Sequence, residues 1–289
     1  MIYKYKTLFI FYFLFSFSIQ TYADCDSFKK GLELFDKNFY VLAQGLFDNY
    51  IECGSSEFLL EKSYYYSAIC SKEIYNQDAV FKFFDYIKNY PEGIFVNDAY
   101  FNLGSIYFEK QKFKEAHSWY TKVKVERLDD FYSDLYFFRH GYTCFKDSLH
   151  KQSLFLFDNI KKKSFYYNLG IYFSSHIYFL QSKYNLALEG FSKLSSIKGL
   201  SEISSYYKAV IYYKQKRYNE LLDYGELKIR EQSIKKQTHV KSLMAQSYYN
   251  LEMYEKCVTA FLEDSSFVHS NQAMYKFGYS LYKIDSIDY

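Results

Sequence analysis

A small residue returns at intervals of 33–37 residues along almost the whole of this 289-residue chain. Glycine, serine or alanine fills the eight positions: Gly31, Ser67, Gly104, Gly141, Ser175, Ala209, Ala245 and Gly278. So small a side chain at a fixed place lets two helix backbones approach closely, as a stack of repeated helical hairpins requires. The single proline and the 11 glycines also favour long helices over the many turns of a sandwich or barrel.

Residues 98–123 show the repeating unit most clearly. Four residues first recur three or four positions apart, as on one face of a helix: Tyr100, Leu103, Gly104 and Tyr107. A short polar turn over 109–112 follows. A second face of the same period then begins: Phe113, Ala116, Tyr120 and Val123. This unit therefore predicts two antiparallel helices joined by a tight turn.

Two further positions repeat when the small residue is counted as position 8. Position 20 is mostly small: Ala43, Ala79, Ala116, Ser153, Ala187, Leu221 and Cys257. Position 24 is aromatic in six of seven units: Phe47, Phe83, Tyr120, Phe157, Phe191, Gly225 and Phe261. Pro91 falls at position 32 of its unit, where the second helix should stop. In the sixth unit Leu221 and Gly225 reverse the usual sizes, which indicates either a volume swap across one interface or a bend in the stack.

This pattern resembles the tetratricopeptide repeat, which combines Leu-Gly at positions 7 and 8, an aromatic at 11, Ala at 20 and Phe or Tyr at 24. Leu103, Gly104, Tyr107, Ala116 and Tyr120 match it closely. The resemblance covers about residues 27–289 and implies an all-α, right-handed superhelical solenoid of stacked antiparallel helix hairpins. We expect one repeat domain over 24–289, with about seven hairpins and a partial eighth. The eighth unit stops inside a turn, so either its lone helix caps the array or the sequence is a fragment of a longer protein.

Residues 1–23 have the order of a secretory signal peptide. Lys4 and Lys6 precede an apolar run over 7–19, and Thr21 and Ala23 are small residues at the −3 and −1 positions. The run is shorter than the roughly 20 residues that span a bilayer. We expect cleavage after Ala23; an uncleaved membrane anchor is the alternative. The bias to Tyr, Phe, Lys and Ile suggests an AT-rich bacterial genome, so we predict a periplasmic or cell-surface location, associated with the outer membrane.

The cysteines fit an exported repeat protein. Cys25 lies just before the first helix of the first hairpin and Cys53 just after its second helix. Because those ends of a hairpin meet, we predict a Cys25–Cys53 disulfide in an oxidising compartment. The other three cysteines fall on core positions and are expected to be small buried hydrophobes: Cys70, Cys144 and Cys257.

The sequence offers little support for catalysis, cofactor or metal binding, or nucleic-acid binding. There is no HExxH, phosphate-loop or G-x-S-x-G pattern. The six histidines are scattered over different repeats, and the cysteines show no zinc spacing. The net charge is only +3, with no basic face. We therefore expect a non-enzymatic protein with no cofactor, no metal and no nucleic-acid partner.

Aromatic residues also recur at positions 5 and 12 of the first helices, seven residues apart and so along one stripe. The residues predicted to contact a partner are Tyr64, Phe101, Phe108, Phe138, Tyr172, Tyr206, Tyr213 and Tyr249. In tetratricopeptide proteins the first helices line a concave groove, and the resemblance implies that this stripe faces it. Aromatic rings give large contact area at low entropic cost, which suits a protein or peptide ligand. The alternative is that the rings pack one first helix against the next and are mostly buried.

These observations favour a protein-interaction scaffold of the bacterial cell envelope. Two alternatives remain open. One is a glycan- or peptidoglycan-binding module, in which exposed rings stack on sugars. The other is the repeat portion of a longer enzyme or secretion-system protein. A membrane contact is expected only through the signal segment, if it is not cleaved.

Overall fold

The computed structural model describes residues 26–263 and 271–285, and every regular element in these ranges is helical. The chain divides into two compact units at Thr143–Cys144, inside the seventh helix. The first unit holds α1 and five complete helices besides the start of α7: α1 (26–36), α2 (Tyr40–Cys53), α3 (Glu57–Glu73), α4 (Ala79–Asn89), α5 (Val96–Glu109), α6 (Phe113–Tyr120) and α7 (Asp130–Lys146). A single 3₁₀ turn, Val125–Arg127, precedes α7. The second unit holds the end of α7 and the remaining helices: α8 (His150–Asp158), α9 (Tyr167–Leu180), α10 (Tyr184–Lys193), α11 (Ser201–Lys214), α12 (Tyr218–Arg230), α13 (Gln237–Asn250), α14 (Tyr254–Glu263) and α15 (Asn271–Asp285).

The helices alternate between first and second members of a hairpin, and within each unit consecutive helices pack on one another. First helices also contact first helices, as α11 does with α13 and α13 with α15. The predicted all-α class of stacked antiparallel hairpins is therefore confirmed. The predicted signal peptide lies outside the described residues.

The repeating small residue leaves room for an aromatic ring of its own hairpin. A Cβ atom added to Gly104 would lie 2.6 Å from the Tyr120 ring, and one added to Gly31 would lie 2.9 Å from the Phe47 ring. Real Cβ atoms do not approach a ring so closely, so even alanine is too large at these two glycines. Seven of the eight small residues are buried, and Gly278 on α15 is exposed. In these two hairpins position 8 is therefore small because position 24 is large.

The position-24 ring also packs against the next hairpin. Phe83 is fully buried in one cluster with Ala99 and Leu103 of α5. In the sixth hairpin, Met244 of α13 fills the space that a position-24 side chain would occupy. A Cβ added to Gly225 would lie 2.6 Å from the Met244 sulfur. Met244 and Leu221 share a cluster there. The reversed sizes of Leu221 and Gly225 are thus a volume swap across the interface between α12 and α13.

All seven hairpin turns adopt the same left-handed conformation without using glycine. The residues at positive φ are Asn38, Tyr75, Gln111, Ser148, Ser182, Lys216 and Glu252. In each turn the next residue donates its backbone N–H to a carbonyl five residues earlier, as Lys112 does to Tyr107 at 2.9 Å. This is the bond of a Schellman helix end. A left-handed conformation costs an L-residue roughly 1–2 kcal/mol, so each turn holds a small, removable strain.

We expect Gln111→Gly to stabilise the first unit by up to about 1 kcal/mol, because glycine adopts φ near 56° without the Cβ clash. The matched control is Lys110→Gly, at a neighbouring exposed residue whose φ is −76°. There glycine only adds unfolded-state entropy and should destabilise by about 0.5–1 kcal/mol. Urea unfolding midpoints measure both; a loss of stability in both variants would contradict the strained-turn interpretation.

Candidate functional site

The eight predicted partner-contacting residues differ in exposure. Phe101 and Tyr206 are only 5% and 8% exposed. The other six are partly exposed: Tyr64, Phe108, Phe138, Tyr172, Tyr213 and Tyr249. Phe101 and Tyr206 are core residues that offer little surface to a ligand, so for these two the expectation of an open groove position is corrected.

In the first unit the position-5 and position-12 rings pack against neighbouring helices. Phe101 contacts the Tyr120 ring of its own hairpin, with ring centroids 6.2 Å apart. Phe108 lies between Phe113 of α6 and Tyr142 of α7, at centroid distances of 6.1 and 5.7 Å. The position-12 ring of one first helix thus meets position 9 of the next first helix. Here the stripe stabilises the stack of first helices.

The remaining predicted residues of the first unit also have aromatic neighbours. Phe138 lies 6.4 Å from Tyr142, measured between ring centroids, and Tyr64 lies 5.6 Å from Tyr90. Tyr64 turns towards the second helices α2 and α4, whose side chains share a groove with it. The structure therefore does not gather the four predicted residues of this unit into one site.

In the second unit Tyr172 and Tyr206 serve packing as well. The Tyr172 ring lies 6.1 Å from Phe191 and 6.4 Å from Tyr207. The Tyr206 hydroxyl and His239 Nδ1 are hydrogen-bonded at 3.0 Å, which joins α11 to α13. Burial is the main cause that raises the pKa of Tyr172 to about 12, so this phenol stays neutral at physiological pH.

Tyr213 and Tyr249, by contrast, are brought together around a buried lysine. Lys276 of α15 is 6% exposed, and its Nζ donates to the Tyr213 hydroxyl at 3.1 Å and to Gln246 Oε1 at 3.2 Å. The Tyr213 hydroxyl donates in turn to Gln246 Oε1 at 3.1 Å. The same ammonium lies 5.7 Å from the Tyr213 ring centroid and 5.6 Å from that of Tyr249. Three successive first helices, α11, α13 and α15, therefore supply one polar cluster.

Lys276 has no acidic partner in the described part of the chain. Its hydrogen-bond acceptors are a phenol and an amide oxygen, both neutral. Burying an ammonium without a counter-charge costs several kcal/mol, which cation–π contacts and dipoles offset only in part. The arrangement favours an anionic group supplied from outside the described residues. The periodic pattern missed Lys276, because a lysine on a surface helix is ordinarily solvated.

Exposed tyrosines border this cluster. Tyr275 and Tyr282 of α15 are 63% and 65% exposed. Both rings contact Tyr279, at centroid distances of 6.1 and 6.4 Å, and Tyr279 contacts Tyr249 at 5.7 Å. We call Lys276, Gln246, Tyr213, Tyr249 and these three tyrosines the α15 site. It combines a buried cation with aromatic surface that a ligand can reach.

A second polar network links α6 to α7 in the first unit. The Tyr136 hydroxyl donates to the Tyr120 carbonyl at 3.3 Å, so it accepts from His140 Nδ1 at 3.1 Å. His140 Nε2 is then free of hydrogen and accepts from His117 Nδ1 at 3.0 Å. Burial, followed by the neighbouring His117, lowers the pKa of His140 to about 3. This pair could not be predicted from the sequence pattern, because the two residues are 23 apart and lie in different hairpins.

The cysteines follow the repeat. Cys70, Cys144 and Cys257 are buried, as expected, and Cys53 is exposed at the last residue of α2. Burial raises the pKa of the Cys70 and Cys144 thiols to about 12. Cys25 lies outside the described residues, so the Cys25–Cys53 disulfide stays a prediction.

Among the helices that the structure describes, none is both long enough and apolar enough to span a bilayer. No known protein-family model matches the sequence, and no curated protein matches it either.

Solved structures, however, match the fold. A tetratricopeptide repeat protein from Parabacteroides merdae matches 89% of this chain and 98% of its own, at 13% identity and a TM-score of 0.51. The C-terminal part of a TPR repeat-containing protein from Cytophaga hutchinsonii matches 86% of this chain and 98% of its own, at 16% identity and a TM-score of 0.56. The apo form of RapI matches 88% of this chain and 80% of its own, at 14% identity and a TM-score of 0.52. The chain is thus a helical repeat protein with the tetratricopeptide-repeat fold, and the resemblance read from its sequence is confirmed at that level.

We expect the stability of the first unit to fall as pH drops from about 6.5 to about 3. The unfolded state binds a proton at His140 near pH 6.5, whereas the folded state resists it until about pH 3. The stabilising contribution of neutral His140 is therefore fully present above pH 6.5. Below that pH this residue lowers the free energy of unfolding by up to about 1.4 kcal/mol per pH unit. In urea unfolding at pH 7, 6 and 5, His140→Gln should show a shallower slope. Equal slopes in wild type and His140→Gln would contradict the assignment.

Proposed function

We propose that this chain is a non-catalytic protein-interaction scaffold of the bacterial cell envelope and that the α15 site binds an acidic segment of a protein partner. The buried Lys276 ammonium, which has no carboxylate partner among the described residues, is the observation that carries this proposal. The fold supports it, because stacked hairpins present long continuous surfaces to other molecules. The signal-like order of residues 1–23 supports the envelope location.

The α15 site has the two components that peptide recognition uses. Tyr275 and Tyr282 offer exposed ring area with few rotatable bonds, so they lose little entropy on binding. Lys276 has three N–H donors and uses two of them within the site, on Tyr213 and Gln246, so the third can be donated to a carboxylate. A partner carboxylate would supply the counter-charge that Lys276 lacks among the described residues, and a charge-assisted hydrogen bond is worth about 1.5–3 kcal/mol.

A glycan partner is the second candidate. The exposed Tyr275 and Tyr282 rings favour it, since flat aromatic surfaces also stack on sugars. A neutral glycan, however, would leave the Lys276 ammonium without a counter-charge. We therefore place the acidic protein segment first.

We expect Lys276→Met to abolish partner capture without loss of stability. Immobilised protein, residues 24–289, is exposed to a lysate of its own organism, and bound proteins are quantified by mass spectrometry. Loss of a charge-assisted contact should lower the affinity about tenfold or more. Thermal stability should stay equal or rise, because replacing a buried charge by an apolar residue is often neutral or stabilising and Tyr213 still bonds Gln246.

Lys241→Met is the matched control, since Lys241 is an exposed lysine of α13. It should capture the same protein as wild type. Equal capture by Lys276→Met would contradict the acidic-segment proposal. Recovery of cell-wall polysaccharide without any stoichiometric protein would favour the glycan candidate.

For the exported protein we expect cleavage after Ala23 and a Cys25–Cys53 disulfide. Native protein is alkylated at pH 8, digested without reduction and mapped by mass spectrometry. A linked peptide pair should contain Cys25 and Cys53. The buried Cys70 and Cys144 thiols should escape alkylation, because their raised pKa keeps them protonated. Alkylated Cys53 together with an uncleaved N-terminus would contradict both predictions.

A further inference from the structure

A groove of the first unit lies on the side of the second helices. It has a volume of about 340 Å³ and runs between α2 and α4, with Tyr64 and Ser67 of α3 as its floor. Asp48 and Glu52 of α2 face it across from α4. It is therefore formed by other helices than the α15 site and does not depend on the function proposed for that site.

The lining of this groove is strongly acidic. Carboxylates come from both walls: Asp48, Glu52, Asp78 and Asp85. Lys82 is the cation among the lining residues, and its Nζ is already bound to Asp48 Oδ1 at 2.8 Å and to Ser67 Oγ at 3.0 Å. Within the described ranges, Asp78 and Asp85 accept hydrogen bonds from neutral donors, the Ser71 hydroxyl and the Asn89 amide. Like charges that face each other across a groove raise its negative potential, so a cationic occupant is favoured.

The shape of the cluster argues against a metal ion. No three of these carboxylates, in the part of the chain that the structure describes, converge as closely as ligands of one ion. The carboxylates instead come from two helices on opposite sides of the groove, an arrangement that suits an extended or branched cation. The groove also borders an exposed ring, since Phe81 of α4 is 68% exposed and lines it.

Carboxylates beside aromatic faces are the surroundings that a guanidinium prefers. Its planar group donates to carboxylate oxygens and stacks on a ring, whereas an ammonium is a compact, strongly hydrated charge. Tyr64 supplies a second ring at the floor. Its pKa is raised by burial first and then by the negative charges of Asp85 and Glu57.

We propose that the groove between α2 and α4 is a docking surface for an arginine-bearing segment of a protein partner. The carboxylates of Glu52 and Asp85 bind the guanidinium, and the rings of Tyr64 and Phe81 lie against its plane and stem. In this proposal Tyr64, a predicted partner-contacting residue, contacts the arginine on the second-helix side of the repeat.

The test uses the full chain and three fluorescein-labelled nonapeptides that differ only at their three central residues, which are arginine, lysine or glutamine. Fluorescence anisotropy at about 0.15 M salt measures binding. We expect the arginine peptide to bind most tightly, the lysine peptide more weakly and the glutamine peptide not at all. Equal binding of all three peptides would overturn the proposal.

Two double variants remove the same amount of charge. Glu52→Gln with Asp85→Asn changes the groove, and Glu115→Gln with Glu126→Gln changes two exposed acids outside it. The groove variant should lose about tenfold or more in affinity and the control less than about twofold, because only the first removes direct contacts. Equal losses would show general attraction to an acidic surface and would overturn the proposal.

Two further variants separate this surface from the α15 site. Phe81→Ser should weaken the arginine peptide without affecting the far-ultraviolet circular dichroism, since its ring is mostly exposed. Lys276→Met should leave arginine-peptide binding unchanged. Unaltered affinity in Phe81→Ser would overturn the role of the ring. Lost affinity in Lys276→Met would overturn the claim that the two surfaces are separate.

Discussion

The contact between an aromatic ring at position 24 and a small residue at position 8 is the constraint on which hairpins of the first unit depend. The Tyr120 ring occupies the space where a Cβ on Gly104 would lie. In the second hairpin the position-24 ring, Phe83, meets the next first helix at Ala99 and Leu103. A single hairpin leaves that second face exposed, so it cannot be stable alone. Each hairpin is completed by its neighbour, and stability becomes a property of the array rather than of one core.

This constraint explains why the fold could be predicted from the sequence. Helix period and the positions of small and large residues are local properties, and they place residues such as Ala116 and Phe191 in the core without reference to the rest of the chain. The turns could not be predicted in the same way. Their left-handed residues include Asn38, Tyr75 and Glu252, which share no chemistry. The conformation there is imposed by helix-end hydrogen bonds, so almost any residue can fill it.

The candidate site was predictable only in part, for a related reason. Periodicity identifies the face of a helix on which a residue lies, but not the neighbour that covers this face. Phe108 belongs to the predicted stripe, yet Tyr142 from the next first helix packs against it. Nearly a quarter of this chain is aromatic, so many rings are available to fill gaps between helices. Tyr213 and Tyr249 differ from the other residues of the stripe because the Lys276 ammonium lies beside their rings.

A comparison of the half-buried Lys82 with the buried Lys276 shows why the α15 site is the stronger candidate for binding a carboxylate. Lys82 in the first unit holds Asp48 at 2.8 Å, so its charge is balanced inside the protein. A ligand carboxylate would have to compete with that pair and would gain little. Among the described residues, Lys276 bonds neutral oxygens and lies over the rings of Tyr213 and Tyr249, so its ammonium has lost most of its water without gaining an anion there. A partner that brings a carboxylate recovers part of this desolvation free energy, and a partner without one does not. The unbalanced charge therefore supplies selectivity as well as affinity, whereas the exposed tyrosines alone would bind acidic and neutral surfaces alike.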